Sequence, residues 1–446
     1  MTQQDTRALF LTTRNDQAAV HYNHGVVLML SAWPGAAELL DAALARDPEF
    51  ALAHAARGRL HAICAQPTLA RQAFAEAERL AARFGDERER SHIHVLSTAL
   101  KGASDHAIST GVAHLDLWPN DAVIFSLLLG PFGLLAFSGM ANHDQARVDL
   151  CKRYEGAYAS NDWWFLTYSG WAIAENGEAT QGRSILERAV TLRPENANGV
   201  HALTHAMYEQ GATIEADSLL AGWLPGYARE GILHGHLAWH RALNALEQGD
   251  ADGALRIYTA QIQPDVSLGM PINIVSDSAS LLWRMSAYGH RLPEGLWEQI
   301  SDYTRSRYPS AGHAFIDSHM LMIAAATGDL EALEARLSGL EALLDKGAPG
   351  AGAVVPAIGR ALAAFAKGNY AACASLLEPV AHEVVRIGGS GAQREVFEDT
   401  LLVAYMRSGE ADKARQLLDT RLHRRPSPRD GRWRQTLASG PNDPVV

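Results

Sequence analysis

The chain has 446 residues, of which 47% are hydrophobic and 20% charged, and its formal net charge is −11. This composition is typical of a folded protein, and the length exceeds what one compact core organises, so we expect several domains or one extended repeat array. The negative charge argues against nucleic acid and anionic membranes as partners, because phosphate groups repel it.

The apolar residues and cysteines favour a soluble protein of the cytoplasm. Residues 1–14 lack the basic start and long apolar run of a signal peptide. No segment reaches the roughly 20 apolar residues that a membrane helix needs. The most apolar segment, residues 124–137, is short and interrupted by glycine and proline, which favours a buried helix pair. Cys64, Cys151 and Cys373 lie far apart, as is typical of reduced thiols.

The predicted helices occur in pairs joined by short turns. Near the start, one helix ends at Asp47 and Pro48, and the next covers residues 50–64. The two clearest pairs cover residues 164–176 with 179–192 and residues 196–210 with 214–223. Their turn glycines, Gly177 and Gly211, lie 34 residues apart in the sequence. This spacing is the period of a tetratricopeptide helix–turn–helix repeat.

Within the first of these pairs, Gly170 and Gly182 face each other and predict a close approach of the two helices, and Pro194 ends the unit. Later turns are predicted at Gly249, Gly328, Gly368 and Gly409. The accompanying pairs cover residues 233–248 with 251–261, 314–327 with 330–344, 355–367 with 370–386, and 393–408 with 411–422. Glycine suits these positions because the residue after a helix often needs a positive φ.

The predicted fold class is all-α: a tetratricopeptide-like α-solenoid of antiparallel helix pairs that form a superhelix. The alternating apolar and polar runs of β-strands are absent. We expect one continuous array over residues 1–423, with the most regular repeats over residues 163–261. Residues 344–354 predict a loop or hinge, and residues 424–446, with four prolines, predict a weakly ordered C-terminal tail.

Six segments carry a resemblance to a known family. They are DPEFALAH at 47–54, GVHALTH at 199–205, HLAWH at 236–240, DS at 277–278, DSH at 317–319 and GGSGAQR at 388–394. With these segments in this order, the chain resembles the tetratricopeptide repeat protein 38 family. The resemblance implies a helical-repeat superhelix and no particular activity. Tyr208 departs from it, since the family tends to have an acid there.

Two His-x-x-x-His pairs are the clearest functional signal: His201 with His205, and His236 with His240. Residues four apart lie on one face of a helix, so each pair suits a shared divalent metal ion or a donor and acceptor beside a substrate. The repeat resemblance implies that the first helix of each pair lines the concave surface. His201, His205, His236 and Trp239 then point inward, and His240 lies one step aside. The alternative is that each histidine is a packed helix residue or a surface residue.

Two acidic segments could join these histidines. Asp277 lies in an apolar segment and is either the N-cap of a helix over residues 278–287 or an acid that orients a histidine or acts as a base. Asp317 lies four residues after His313 and two before His319. Asp317 forms either a local helix salt bridge with His313 or part of the same site as His319.

The glycine-rich segment 388–394 precedes a helix. Ser390 is a candidate cap, and Gly389, Gln393 and the helix N-terminus could hold an anion that Arg394 clamps through two hydrogen bonds. The alternative is a helix–helix turn with Arg394 bridging repeats. No Gly-Lys-Ser/Thr follows, so no nucleotide cofactor is expected.

Two functions fit these residues. In the first, a concave pocket binds a small anionic, carboxylate-bearing molecule and acts on it as a hydrolase or lyase, by acid–base or divalent-metal-assisted chemistry. Its candidate catalytic residues are His201, His205, His236, His240, Asp277, Asp317 and His319, and its candidate ligand-binding residues are Trp239, Gly389, Ser390, Gln393 and Arg394. In the second, the protein is a scaffold that binds a protein or peptide segment in its groove. A homodimer is compatible with either function.

Overall fold

The protein is all-α, as the helical periodicity predicts. The computed structural model describes residues 3–130, 133–347 and 353–439. In these residues 23 α-helices follow one another, and the two strands, β1 (Gln3–Gln4) and β2 (Phe10–Leu11), form one short antiparallel pair. No described helix combines the length and apolarity needed to cross a membrane.

Three sequence predictions fall partly outside the described residues. They concern the apolar segment 124–137, the loop 344–354 and the tail 424–446, of which residues 131–132, 348–352 and 440–446 are not described.

Contacts between Cα atoms divide the chain into two units. The first comprises Met1–Ser138, Asn142–Leu203 and Tyr227–Leu233, and the second comprises Gly139–Ala141, Thr204–Gly226 and His234–Val446. The boundary falls within helix α11 (Ala197–Glu209). The other described helices of the first unit are α1 (Asp16–Leu30), α2 (Ala36–Arg46), α3 (Ala51–Ile63), α4 (Pro67–Phe84), α5 (Glu87–Leu100), α6 (Ser104–Leu117), α7 (Ala122–Leu129), α8 (His143–Tyr154), α9 (Trp163–Glu175) and α10 (Ala179–Leu192).

Small residues set the close packing of the helix pairs in the first unit. A Cβ on Gly170 of α9 would lie 2.8 Å from Leu186, and one on Gly182 of α10 would lie 2.5 Å from the Gly170 carbonyl oxygen. The predicted approach of these two glycines is therefore confirmed. Gly25 of α1 and Gly58 of α3 allow the same close approach. A Cβ on either glycine would lie 2.9 Å from a side chain of the following helix, Leu40 in the first case and Phe74 in the second.

The helices of the second unit confirm the predicted pairs. Its described helices after α11 are α12 (Thr213–Trp223), α13 (His234–Gln248), α14 (Ala251–Ile257), α15 (Pro271–Ala287), α16 (Leu296–Arg305), α17 (Ala314–Thr327), α18 (Leu330–Asp345), α19 (Val354–Ala366), α20 (Tyr370–Leu377), α21 (Gly391–Ser408), α22 (Ala411–Arg424) and α23 (Pro428–Ser439). The turn glycines Gly211, Gly249, Gly328, Gly368 and Gly409 all have a positive φ between 70° and 88°.

Two predicted helices change type before they end. After α14 the chain continues as a short π-helix over Tyr258–Ile262, and after α20 it continues as a 3₁₀ helix over Glu378–Ile387. In the second case Pro379 stands at the start of the 3₁₀ segment, and because proline has no N–H it cannot extend the α-helical hydrogen bonds.

The C-terminal segment differs from the weakly ordered tail that its prolines predict. Residues 428–439 form helix α23, and Arg429 and Asp430 in its first turn are 5% and 1% exposed. The Arg429 guanidinium lies 2.8 Å from Asp430, 3.3 Å from Asp399 and 3.5 Å from Glu247. Buried ion pairs therefore hold this helix in place.

Candidate functional site

Three helices place histidines and an aspartate of the second unit together. His205 lies on α11, His236 and His240 lie on α13, and Asp277 lies on α15. All four side chains are at most 4% exposed. The tetratricopeptide period explains the placement, because α11 and α13 are the first helices of consecutive pairs.

The three histidine rings form one compact group. The centroid of the His240 ring lies 4.5 Å from that of His205 and 5.0 Å from that of His236, and both pairs meet edge to face. Each of the three rings offers a nitrogen within 4.8 Å of the corresponding nitrogen on the others. The two predicted histidine motifs thus supply neighbouring rings, although His240 was expected to lie aside.

The carboxylate of Asp277 binds the His236 ring through Nδ1. His236 Nδ1 lies 3.0 Å from Oδ1 and 2.9 Å from Oδ2 of Asp277, and the His236 ring stacks on Trp239 at 5.2 Å with an angle of 12°. An ionised carboxylate only accepts hydrogen bonds, so Nδ1 carries the hydrogen, and a neutral His236 ring then has its lone pair on Nε2.

The N-cap interpretation of Asp277 is wrong. Helix α15 begins at Pro271, so Asp277 lies in its second turn and not before its start. Burial raises the pKa of Asp277, and the charge and hydrogen bond of His236 only partly offset this effect. A carboxylate placed here at such a cost is explained by its histidine partner.

His201 lies one turn before His205 on the same helix, in the part of α11 that belongs to the first unit. It is 3% exposed, and its ring centroid lies 5.9 Å from that of Trp171. Helical spacing puts it on the same side of α11 as His205, and the two rings each offer a nitrogen within 4.8 Å of the other.

The contacts of Asp317 and His319 are structural ones. Asp317 accepts hydrogen bonds from the backbone N–H groups of Gly312 and His313 at 2.9 Å and 2.8 Å, and it pairs with Arg336 at 2.6 Å. His319 donates from Nδ1 to the Phe315 carbonyl oxygen at 2.7 Å. Burial lowers the pKa of His319 to about 4, so this ring is neutral at pH 7.

The glycine-rich segment forms a helix start. Ser390 is the N-cap of α21, and its hydroxyl accepts from the N–H of Gln393 while the Gln393 side chain accepts from the N–H of Ser390. This capping box satisfies two of the donors that an anion would use. Arg394 donates to the Gly389 carbonyl oxygen, and Gly389 has a φ of +79°.

A second buried group, in the first unit, has no sequence signature. Asp121, the N-cap of α7, accepts from His92 Nδ1 at 2.8 Å, from His114 Nε2 at 3.3 Å and from Arg88 at 3.0 Å. Burial alone would raise the pKa of Asp121, but the charges of His92 and Arg88 and the histidine hydrogen bonds hold it well below its usual range. Because Arg88 already supplies a positive charge there, this group is a structural ion cluster and a poor cation site.

No protein-family model matches the chain. Among solved structures, yeast Tom70 is similar at 12% identity and a TM-score of 0.34, with 95% of this chain and 94% of that chain covered. Naa15/Naa10 bound to HypK-THB is similar at 12% identity and a TM-score of 0.24, with 90% and 62% covered. The TPR domain of P58(IPK) is similar at 14% identity and a TM-score of 0.20, with 89% and 99% covered.

Proposed function

We propose that this chain binds a divalent transition-metal ion through His205, His236 and His240, and that the metal acts on a small carboxylate-bearing molecule. One observation carries the proposal: Asp277 binds Nδ1 of His236, whose ring lies beside two further buried imidazoles. A carboxylate on the far nitrogen is the arrangement that fixes and strengthens metal-binding histidines.

The chemistry of the ligands favours Zn²⁺. Three neutral imidazoles suit Zn²⁺, Cu²⁺ or Ni²⁺, and among the described residues the group that could hold an ion here includes no cysteine that would favour a thiolate metal. Protonation of all three rings would bury three positive charges beside the single negative charge of Asp277, which is costly. A metal uses the ring lone pairs instead.

The fourth ligand decides between a structural and a catalytic ion. Three protein ligands leave a position at which Zn²⁺ lowers the pKa of bound water and polarises a substrate carbonyl. His201, four residues before His205 on α11, would close that position if it also bound the metal. We propose that the position is open, with hydrolysis or elimination as the reaction.

The chain's own residues then have distinct tasks. Asp277 fixes the tautomer of His236, and Trp239 holds the plane of that ring through its stacking contact. The raised pKa of Asp277, which burial causes, lets this carboxyl accept a proton more readily than an exposed aspartate does.

Metal content is the first test. The purified chain, dialysed against Zn²⁺ and then against buffer, should retain one ion per chain by plasma mass spectrometry. His240→Ala should lose the ion, and Asp277→Asn should weaken its affinity about 10- to 100-fold. His382→Ala is the matched control, because His382 is 74% exposed and far from any buried histidine group in the sequence.

Cobalt substitution tests the open position. Three imidazoles and a water give a Co²⁺ absorption spectrum that added acetate changes, whereas four imidazoles do not. If His201→Ala abolishes metal binding, the ion is structural and the catalytic proposal fails. A wild-type chain that retains no more metal than His240→Ala would remove the metal site altogether.

The second candidate function is a scaffold, which the helical-repeat fold favours. A cleft of about 490 Å³ lies along α12, α13 and α14, and its walls carry the Asp217–Arg241 ion pair and the exposed Ile214. Such a mixed polar and apolar surface suits a peptide segment. Substitutions Ile214→Asp and Arg241→Glu should reduce capture of a protein partner while they leave the metal content unchanged.

A further inference from the structure

The cleft along α12, α13 and α14 lies within the second unit and is bridged at two points. Its volume is about 490 Å³. Gln248 of α13 donates from Nε2 to Thr213 Oγ1 of α12 at 2.6 Å. Arg241 Nε of α13 lies 2.8 Å from Asp217 Oδ1 of α12. Arg241 and Gln248 both line the cleft, which therefore follows α13 for two helical turns, or about 10 Å.

Between these two bridges α13 carries a buried amide. Asn244 lines the cleft and is 2% exposed. It lies three residues after Arg241 and four before Gln248, so the three side chains share one face of the helix. The neighbours on both sides bind α12, but Nδ2 of Asn244 has no hydrogen-bond partner in the described part of the chain. A buried donor of this kind is costly, and an acceptor from a bound molecule would offset that cost.

An exposed apolar side chain lines the same cleft. Ile214 of α12 lies between Thr213 and Asp217, the two α12 residues that form the bridges, and it is 70% exposed. An apolar group packed on this side chain would remove its surface from water, which is favourable. The cleft therefore combines one unused hydrogen-bond donor with one apolar contact.

The charged residues that line the cleft carry no net formal charge. They are Asp217 with Arg241, which pair at 2.8 Å, and Asp250 with Arg256, which lie 3.8 Å apart. A charged ligand would add a charge that nothing here compensates, whereas a neutral acceptor satisfies the Asn244 amide at no such cost. The charge balance therefore favours an uncharged ligand.

We infer that this cleft binds a short, extended and uncharged segment of a partner protein. A main-chain carbonyl oxygen of the segment accepts from Asn244 Nδ2, and an apolar side chain packs on Ile214. An extended chain offers a carbonyl and a side chain in every residue, and about 10 Å of cleft holds about three such residues. The inference rests on the scaffold function proposed above, names the chemistry of its partner and needs no metal.

Short random peptides displayed on phage are the probes, selected on the full chain with a chelator present. The wild type should enrich uncharged sequences that contain a large apolar residue. One enriched peptide, synthesised with blocked ends, should bind saturably in a fluorescence-anisotropy titration. Its Kd should change less than about twofold between about 50 and 500 mM NaCl, because no net charge is involved.

Two variants test the two contacts. Asn244→Leu should weaken binding of that peptide about 3- to 10-fold, because one neutral hydrogen bond is lost. Ile214→Asp should weaken it about tenfold or more, because an apolar contact is lost. Leu330→Asp is the matched control and should bind as the wild type does. Leu330 is 53% exposed, lies in the first turn of its helix as Ile214 does, and is not part of this cleft.

Melting without peptide separates a binding role of Asn244 from a structural one. Asn244→Leu should melt at or above the wild-type temperature, because it removes a buried donor that has no partner in the described chain. If this variant melts well below the wild type, or binds the peptide equally well, the inference is overturned while the scaffold function stands. If no peptide is enriched on the wild type, both the inference and the scaffold function of this cleft fail. Enrichment of charged peptides whose binding falls with salt overturns the assignment to an uncharged partner.

Discussion

Arg421 occupies the centre of a buried ion network in the second unit, and its removal should destabilise the protein strongly. Its side chain is 1% exposed, and its guanidinium nitrogens lie 2.6 Å from Asp430, 2.7 Å from Glu395, 2.8 Å from Asp399 and 3.0 Å from Glu398. Each of these oxygens would lose a charged donor in Arg421→Met.

The size of the effect follows from the charges that remain. Three buried arginines, Arg284, Arg425 and Arg429, would face four buried carboxylates, those of Glu247, Glu395, Asp399 and Asp430. One negative charge would stay buried without compensation, which typically costs about 3–5 kcal/mol. For a unit of this size that loss lowers the melting temperature by about 6–20 °C.

The assay is calorimetric or circular-dichroism melting at pH 7, with urea unfolding for the free energy. Arg415→Met is the matched control: Arg415 lies on the same helix α22, and its partner Asp412 is 95% exposed. Exposed pairs contribute little, so this variant should melt close to the wild type. If Arg421→Met melts within 2 °C of Arg415→Met, the network does not stabilise the fold and the reasoning is refuted.

The same network predicts acid sensitivity. Burial alone would raise the pKa of Glu395, but the charges of Arg425, Arg421 and Arg429 hold it well below its usual range. A carboxyl whose pKa is lower in the folded state stabilises the protein above its unfolded pKa, here about 4.3. That stability is lost as the pH falls from there toward the folded pKa.

Three further outcomes are expected. Burial lowers the pKa of His319 to about 4 in the folded state, so the unfolded state binds the proton at a higher pH. Between pH 6.5 and pH 4 the free energy of unfolding should therefore fall by about 3 kcal/mol more in the wild type than in His319→Gln. Urea unfolding at each pH measures the difference. Asp121→Asn should lower stability by about 3–5 kcal/mol in the same assay, because Arg88 stays buried without its carboxylate. Gly182→Ala should cost about 1–3 kcal/mol, because its methyl group meets the Gly170 carbonyl oxygen, whereas Gly222→Ala in α12, with open space around it, should melt at or above the wild-type temperature.

The sequence by itself determined the helices and their pairing. Apolar periodicity and turn glycines are local signals, and local hydrogen bonds close each helix, so the predicted bounds of α9, α10, α12 and α17 lie within a residue or two of those observed. The spacing of His201 with His205 and of His236 with His240 is equally local, which is why these pairs were recognisable as candidate ligands.

Only the tertiary structure decided which charged groups meet. Asp277 lies 41 residues from His236, and its own surroundings in the sequence left a helix cap and a site acid as alternatives. Asp121 gathers His92, His114 and Arg88 with no recognisable spacing. Proline-rich composition predicted a loose tail where Arg429 and Asp430 are buried. The reason is physical. An ion pair depends on the distance between its partners in space and on the loss of water around both of them, and the local sequence determines neither.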